Sequence, residues 1–272
     1  MSVEITVCFD YVCPFCYLAG NALKKAIAGK DVTIRYIPYE LRREPTPKVD
    51  PMHDEMRLKR FDEVLLPTAQ KLGVEMKLPW ISPHPYTTVP LQGFHYVMDS
   101  CPQKVGDYNW AIFNAFYIDE RDIGEQDVVE EIMQRLEIPV EPFRQVIAEG
   151  KYSQLLLEEK AYCKETLGVT GIPSYFIKGQ KLSGVMDPQA LEAAILLAET
   201  SQSQQAVDGM VCDENGCGSD VQMHCDENGC GPSAEMHCDE NGCGSNVEMH
   251  CDENGCGPNV EMHCDENGCG PF

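Results

Sequence analysis

The chain has 272 residues, a formal net charge of −23 and 15 cysteines. At 43% hydrophobic it holds ample material for a core, which excludes wholesale disorder. Its acidity argues against binding nucleic acid or an anionic membrane surface, since both need an excess of Lys and Arg.

The charge and the cysteines are unevenly spread. Residues 1–200 carry 29 acidic and 21 basic residues, whereas residues 201–272 carry 15 acidic residues, no basic ones and ten of the cysteines. The start, Met-Ser-Val-Glu-Ile-Thr-Val, lacks a basic leader region, and no run reaches the ~18 apolar residues of a membrane span. The expectation is a cytoplasmic protein whose thiols are usually held reduced.

Val3, Ile5 and Val7 alternate with polar residues, so residues 3–9 read as a strand. Cys13-Pro14-Phe15-Cys16 follows, opening a helical stretch to about Ala28 that Gly29 stops. Residues 32–37 read as a second strand, completing a βαβ start. Residues 52–167 read as mostly helical, with Met56, Phe61, Val64, Leu65 and Leu72 near helical spacing and Pro67 as an expected break. Further helical stretches are expected near 90–99, 105–119, 125–137 and 141–167, the last closed by Gly168. Strand pattern returns at 174–177, turns at Lys178-Gly179-Gln180 and pairs back at 181–183. Asp187 is the expected N-cap of a final helix over 188–199, with Pro188 in its first turn.

A C-x-x-C between a strand and a helix has a specific use. Backbone N–H groups at the helix start favour a thiolate at Cys13, and Cys16 returns to the same end of the first turn. Cys13 is then the candidate nucleophile and Cys16 the thiol that resolves a mixed disulfide. The competing reading, half a zinc site, needs a second ligand pair that residues 1–200 lack. Gly171-Ile172-Pro173-Ser174 leads into the third strand, where a proline is tolerated and a cis bond would be a deliberate feature.

Asp10-Tyr11-Val12-Cys13-Pro14-Phe15-Cys16-Tyr17, the helical insertion and Gly168-Val169-Thr170-Gly171-Ile172-Pro173 together resemble the DsbA family of thioredoxin-fold proteins. Phe113-Asn114-Ala115-Phe116-Tyr117 and Asp122-Ile123-Gly124 are similar to the helical domain of its cytoplasmic FrnE-like branch. The resemblance covers roughly residues 3–198. It implies an α/β protein: a thioredoxin-like domain over 1–50 and 168–200, a helical insertion over 51–167, a linker over 201–209 and a repeat tail over 210–272. It also implies a thiol–disulfide oxidoreductase that needs no cofactor for its redox step and acts on protein or low-molecular-weight thiols and disulfides. The implied residues are Cys13, Cys16 and Pro173 for catalysis, with Pro14, Phe15 and Ile172 against the substrate. Strongly oxidising members carry a histidine where Phe15 stands, so the resemblance implies a weaker oxidant here. Kappa-type glutathione transferases and hydroxychromene carboxylate isomerases resemble the same body plan without the dithiol, and the Cys13/Cys16 pair counts against them.

Cys8 reads as a core residue of the first strand, Cys163 as a helix-face residue and Cys101 as a loop thiol. His53, His84 and His95 are isolated, and none is assigned to catalysis.

Residues 210–272 repeat every 13 residues: Met-His-Cys-Asp-Glu-Asn-Gly-Cys-Gly plus four variable positions, five times over, with Val211 replacing the first histidine. The pairs are Cys212/Cys217, Cys225/Cys230, Cys238/Cys243, Cys251/Cys256 and Cys264/Cys269, preceded in the last four copies by His224, His237, His250 and His263. Each unit is too poor in apolar residues to fold by burial alone. Asn-Gly is a strong hairpin turn signal that brings the two cysteines of a unit together. Two thiolates with an imidazole and a thioether nearby suit Cu(I), Zn(II) or heavier thiophilic ions. A disulfide reservoir or relay and a flexible interaction tail are the alternatives, while a calcium loop lacks its terminal glutamate. FrnE-like proteins can carry a single C-x4-C near the C-terminus, which this tail resembles in multiplied form.

Overall fold

A computed structural model describes residues 2–79 and 81–205, with side chains through residue 200, and the backbone of ten short strands between residues 211 and 271. Residues 1–200 and 201–272 form two separate units.

The first unit is built on a four-stranded sheet in the order β2-β1-β3-β4. Strand β1 (Val3–Phe9) runs parallel to β2 (Val32–Pro38) and antiparallel to β3 (Ser174–Ile177), which pairs with β4 (Gln180–Ser183). The tight turn between β3 and β4 places Lys178 and Gly179 at positive φ, 47° and 79°, which the glycine adopts without strain. Central position explains why β1 buries residues on both faces, Cys8 as well as Val7 and Phe9. This is the α/β, thioredoxin-like arrangement expected, interrupted by a helical insertion.

Helix α1 (Pro14–Ala26) begins one residue after Cys13, which takes the extended conformation of an N-cap. Its Tyr17 packs among Trp110, Phe113 and Tyr117 of α5 (Val105–Tyr117). Gly20 permits the close approach of these helices: an added Cβ there would lie 3.2 Å from the Trp110 ring. The insertion contains α2 (Glu55–Arg60), α3 (Leu66–Leu72), α4 (Thr88–Ser100), α5, α6 (Gln126–Arg135), α7 (Val140–Glu149) and α8 (Ser153–Glu165). Phe9, Tyr11, Phe94 and Phe113 join the sheet to this insertion through edge-on and tilted ring contacts. On the other side, Cys8, Ile37, Tyr39, Cys163 and Val169 form a smaller core between the sheet and α8.

Several boundaries differ from the sequence reading. The stretch 141–167 is two helices, because Gly150 at φ 60° ends α7 and turns the chain. Pro67 does not break its helix. A π-turn over Phe61–Leu65 precedes it, with Leu66 N–H bonding to Phe61 O, and that wider turn accommodates the proline. It also keeps Phe61 and Leu65 on the buried face and leaves Val64 and Met56 exposed. Gly168, at φ 60°, sits after the end of α8 while Val169 N–H bonds back to Cys163 O. Helix α9 (Pro188–Gln205) is longer than the expected 188–199; Asp187 caps it by accepting from Gln189 N–H at 3.0 Å.

The second unit contains five two-stranded antiparallel ladders, one per repeat. Their register sets Cys212 opposite Cys217, Cys225 opposite Cys230, Cys238 opposite Cys243, Cys251 opposite Cys256 and Cys264 opposite Cys269. His224, His237, His250 and His263 stand opposite glycines.

Candidate active site

The chain leaves β1 at Phe9 and makes a short turn, Cys13 N–H donating to Asp10 O at 3.2 Å, before α1 begins. Pro14 occupies the first turn, where its missing N–H leaves no bond unmade. Cys13 therefore lies at the positive end of a helix, as the spacing predicts. Both Cys13 and Cys16 are free thiols and nearly buried, 5% and 4% exposed. The Cys13 thiol donates to Ile172 O at 3.6 Å, and the Ile172–Pro173 bond is cis. The loop before β3 is thus brought over the dithiol from 159 residues away.

Burial pushes the Cys16 thiol well above the ordinary thiol range, and the hydrogen bond and charge of Cys13 act in the same direction. A smaller contribution comes from the charge of Asp10. Asp10 is fully buried, and burial pushes its carboxyl up to about 6 despite bonds from Leu41 N–H at 2.6 Å and Val12 N–H at 3.4 Å. The sequence reading used Asp10 only as part of a motif. The usable signal was an acidic residue immediately after a buried strand and three before the first cysteine.

A cavity of about 190 Å³ opens beside Cys13. Pro14 and Phe15 line it, together with Arg42, Arg57, Arg60 and His84. Pro173 lies elsewhere, with Cys16 in a narrow cleft of about 20 Å³, and Ile172 meets Cys13 only through its carbonyl. His84 was set aside as a loop residue. Its ring stacks edge-on against Phe116, its Nε2 is buried without a hydrogen-bond partner, and burial pushes it down to about 4, aided by Arg57 and Arg42. The arginines escaped sequence reasoning because they sit 29 to 47 residues from Cys13 in the chain and converge only through the path of the insertion.

His53 pairs with Asp50 and His95 with Glu159 at 2.8 Å, both away from the dithiol's cavity lining. Cys8, read as a strand core residue, and Cys163, read as a helix-face residue, are both buried, with sulfurs 3.2 Å apart across β1 and α8. Cys101 is partly exposed at the end of α4. Among the described residues no three His, Cys, Asp or Glu side chains converge as a metal site. The metal ligands expected in the tail lie outside the described side chains. No helix among the described residues is long and apolar enough to cross a membrane.

The sequence pattern of the DSBA-like thioredoxin domain matches residues 4–196, leaving the repeats outside it. Uncharacterized protein YwbO of Bacillus subtilis (strain 168) is 32% identical over 195 residues, 72% of this chain and 96% of its own. A probable DsbA oxidoreductase from Streptomyces coelicolor has a similar fold, with TM-score 0.64 and 18% identity over 80% of this chain and 99% of that one. So does the cytosolic disulfide reductase DsbM from Pseudomonas aeruginosa, with TM-score 0.55 and 17% identity over 75% and 99%. With its dithiol at the strand-to-helix turn, the chain belongs to the DSBA-like thioredoxin domain family and is an enzyme of the thiol–disulfide oxidoreductase class.

Proposed function

We propose that Cys13 is the nucleophile, Cys16 the resolving thiol and Pro173 the loop residue that faces them, in an enzyme working in a reducing, cytoplasmic setting. The observation that carries this reading is the position of Cys13: at a helix N-terminus, on the wall of a cavity, with Cys16 buried behind it. The Cys13 thiolate attacks one sulfur of a substrate disulfide, forming a Cys13–substrate disulfide and expelling the other substrate half as a thiolate. Cys16 then loses its proton and attacks the Cys13 sulfur, releasing the second half. Two electrons pass from the dithiol to the substrate, and an enzyme disulfide remains. Burial, with the neighbouring Cys13, favours the protonated form of Cys16.

The test is reduction of a model disulfide by the full chain. Cys13→Ser should cut the rate to the background set by the repeat thiols, and Cys16→Ser should trap a mixed disulfide on Cys13. Turnover in Cys13→Ser at the rate of the unmodified chain overturns the assignment.

For the tail we infer capture of soft cations as cargo, Cu(I), Zn(II) or a heavier thiophilic ion, by the ten repeat cysteines. The register supports it, since directly opposed cysteines on a two-stranded ladder are neighbours. His224, His237, His250 and His263, each one residue before a cysteine, are further candidate ligands. The same register favours a second reading, in which each pair closes a disulfide and the tail stores electrons. Elemental analysis with thiol counting on the full chain and on a chain truncated after Gln205 separates them. Tail-dependent metal supports capture, and tail-dependent loss of thiols on oxidation without metal supports storage.

A further inference from the structure

The cavity beside Cys13 is cationic on an acidic protein. Residues 1–200 carry a net −8, yet Arg42, Lys48, Arg57 and Arg60 line this cavity and no Asp or Glu does. Arg57 is held from the exposed side by Asp54, Nε to Oδ2 at 3.0 Å, and Lys48 lies over the Tyr86 ring at 4.9 Å. Arg42 and Arg60 form no ion pair among the described residues. The acids whose charge is felt here are the buried Asp10, acting on Arg42, and Asp50, acting on His84 from behind its ring and itself bonded to Ser82 and His53. Gathering like charges costs energy unless an anion joins them, and the half-buried Arg42 feels the charge of Arg57. His84 belongs to the same lining, its Nε2 buried without a hydrogen-bond partner.

We propose that this cavity selects the substrate of the dithiol: a low-molecular-weight disulfide that carries carboxylates within a few bonds of its sulfurs. The inference rests on Cys13 being the nucleophile. Cys13, Arg42 and Arg60 line the same cavity, so a small disulfide whose carboxylate pairs with the arginines shares that cavity with Cys13. A volume of about 190 Å³ is of a size to take one half of a small disulfide. Phe15 and Phe61 supply apolar wall for the methylenes between carboxylate and sulfur. The reaction is the exchange already described: the Cys13–substrate bond forms, the substrate disulfide breaks, and the released half leaves as a thiolate.

Three small disulfides share a two-carbon spacer and differ in the charge of the end group: 3,3′-dithiodipropionate (anionic), its near-isosteric diamide 3,3′-dithiodipropionamide (neutral) and cystamine (cationic). The full chain carrying Cys16→Ser, reduced and freed of metal with a chelator, is mixed with each. Mass spectrometry then follows modification of the Cys13 peptide and of the repeat peptides in the same sample. The repeat cysteines sit among acids only, so they report intrinsic reactivity with a bias against the anion. Cys13 should prefer the anionic over the neutral disulfide by about tenfold or more, in line with a cleft lined by one sign of charge. That ratio should collapse in 0.5 M salt and in Arg42→Ala/Arg60→Ala, and survive in Arg60→Lys, which keeps the charge. Cys13 reacting with all three in the same proportions as the repeat cysteines overturns the proposal while leaving the nucleophile assignment standing. Cys13 reacting with none of them faster than the repeat cysteines overturns both.

Discussion

Asp10→Asn should stabilise the protein, and by an amount that depends on pH in a defined way. The carboxyl of Asp10 is fully buried and pushed up to about 6 from its ordinary 3.8. Below 3.8 it is protonated both folded and unfolded, so it adds no pH-dependent cost. Between 3.8 and about 6 the unfolded chain releases the proton first, and folding becomes less favourable as pH rises. Above about 6 the cost is complete. At about 1.4 kcal/mol per pH unit, the gap between 3.8 and about 6 amounts to about 3 kcal/mol. Asn is nearly the same size and can still accept from Leu41 N–H, but it has no charge to bury. The variant's advantage over wild type should therefore grow from pH 4 to pH 6 and level off at about 3 kcal/mol by pH 7. Urea unfolding of both proteins at pH 4, 5, 6 and 7 measures it, and the difference between the two curves is the quantity to read. His84 tilts both curves the other way, because it is pushed down to about 4 and resists protonation as pH falls below 6.5. A stability difference that stays flat across this range would refute the account of Asp10 as a buried, reluctantly ionised group.

Further outcomes follow from other contacts. Gly93→Ala should destabilise by about 2 kcal/mol in chemical unfolding, since its Cβ would fall 2.1 Å from the hydroxyl of fully buried Tyr108, and a loss under about 0.5 kcal/mol would mean that ring can move aside. Tyr11→Phe removes a donor held 2.5 Å from Asn109 Oδ1 in the core, and should cost about 1–3 kcal/mol, measured against Tyr36→Phe as a control for ring substitution. His84 should stay neutral from pH 7 down to pH 5, so its imidazole proton resonances should not shift over that interval; a midpoint near 6.5 would show that its buried setting is wrong.

The dithiol, its strand-to-helix setting and the βαβ…ββα order were legible in the sequence because each depends on local rules. Alternation marks β1, Pro14 marks the helix start, and Asp187-Pro188 marks the last one. Local rules failed where backbone geometry departed from a regular helix. Gly150 looks like any tolerated helix glycine until its positive φ splits α7 from α8. Phe61–Leu65 reads as ordinary α-helix until the π-turn decides which side chains face inward. The repeats showed their period in full, and their ladder register adds only that each cysteine pair is directly opposed.

What chain order alone settled, then, is the chemistry: two cysteines spaced to exchange disulfides and a separate thiol-rich tail. Tertiary structure decided the setting of that chemistry, because it depends on groups brought together over long separations. It buried Asp10 beneath the dithiol, carried Ile172 to the Cys13 sulfur, placed Cys8 against Cys163, and gathered four cations from residues 42 to 60 around one cavity. Net charge is additive along a sequence, but an electrostatic field depends on distance, and only the fold fixes the distances that make an acidic protein positive beside Cys13.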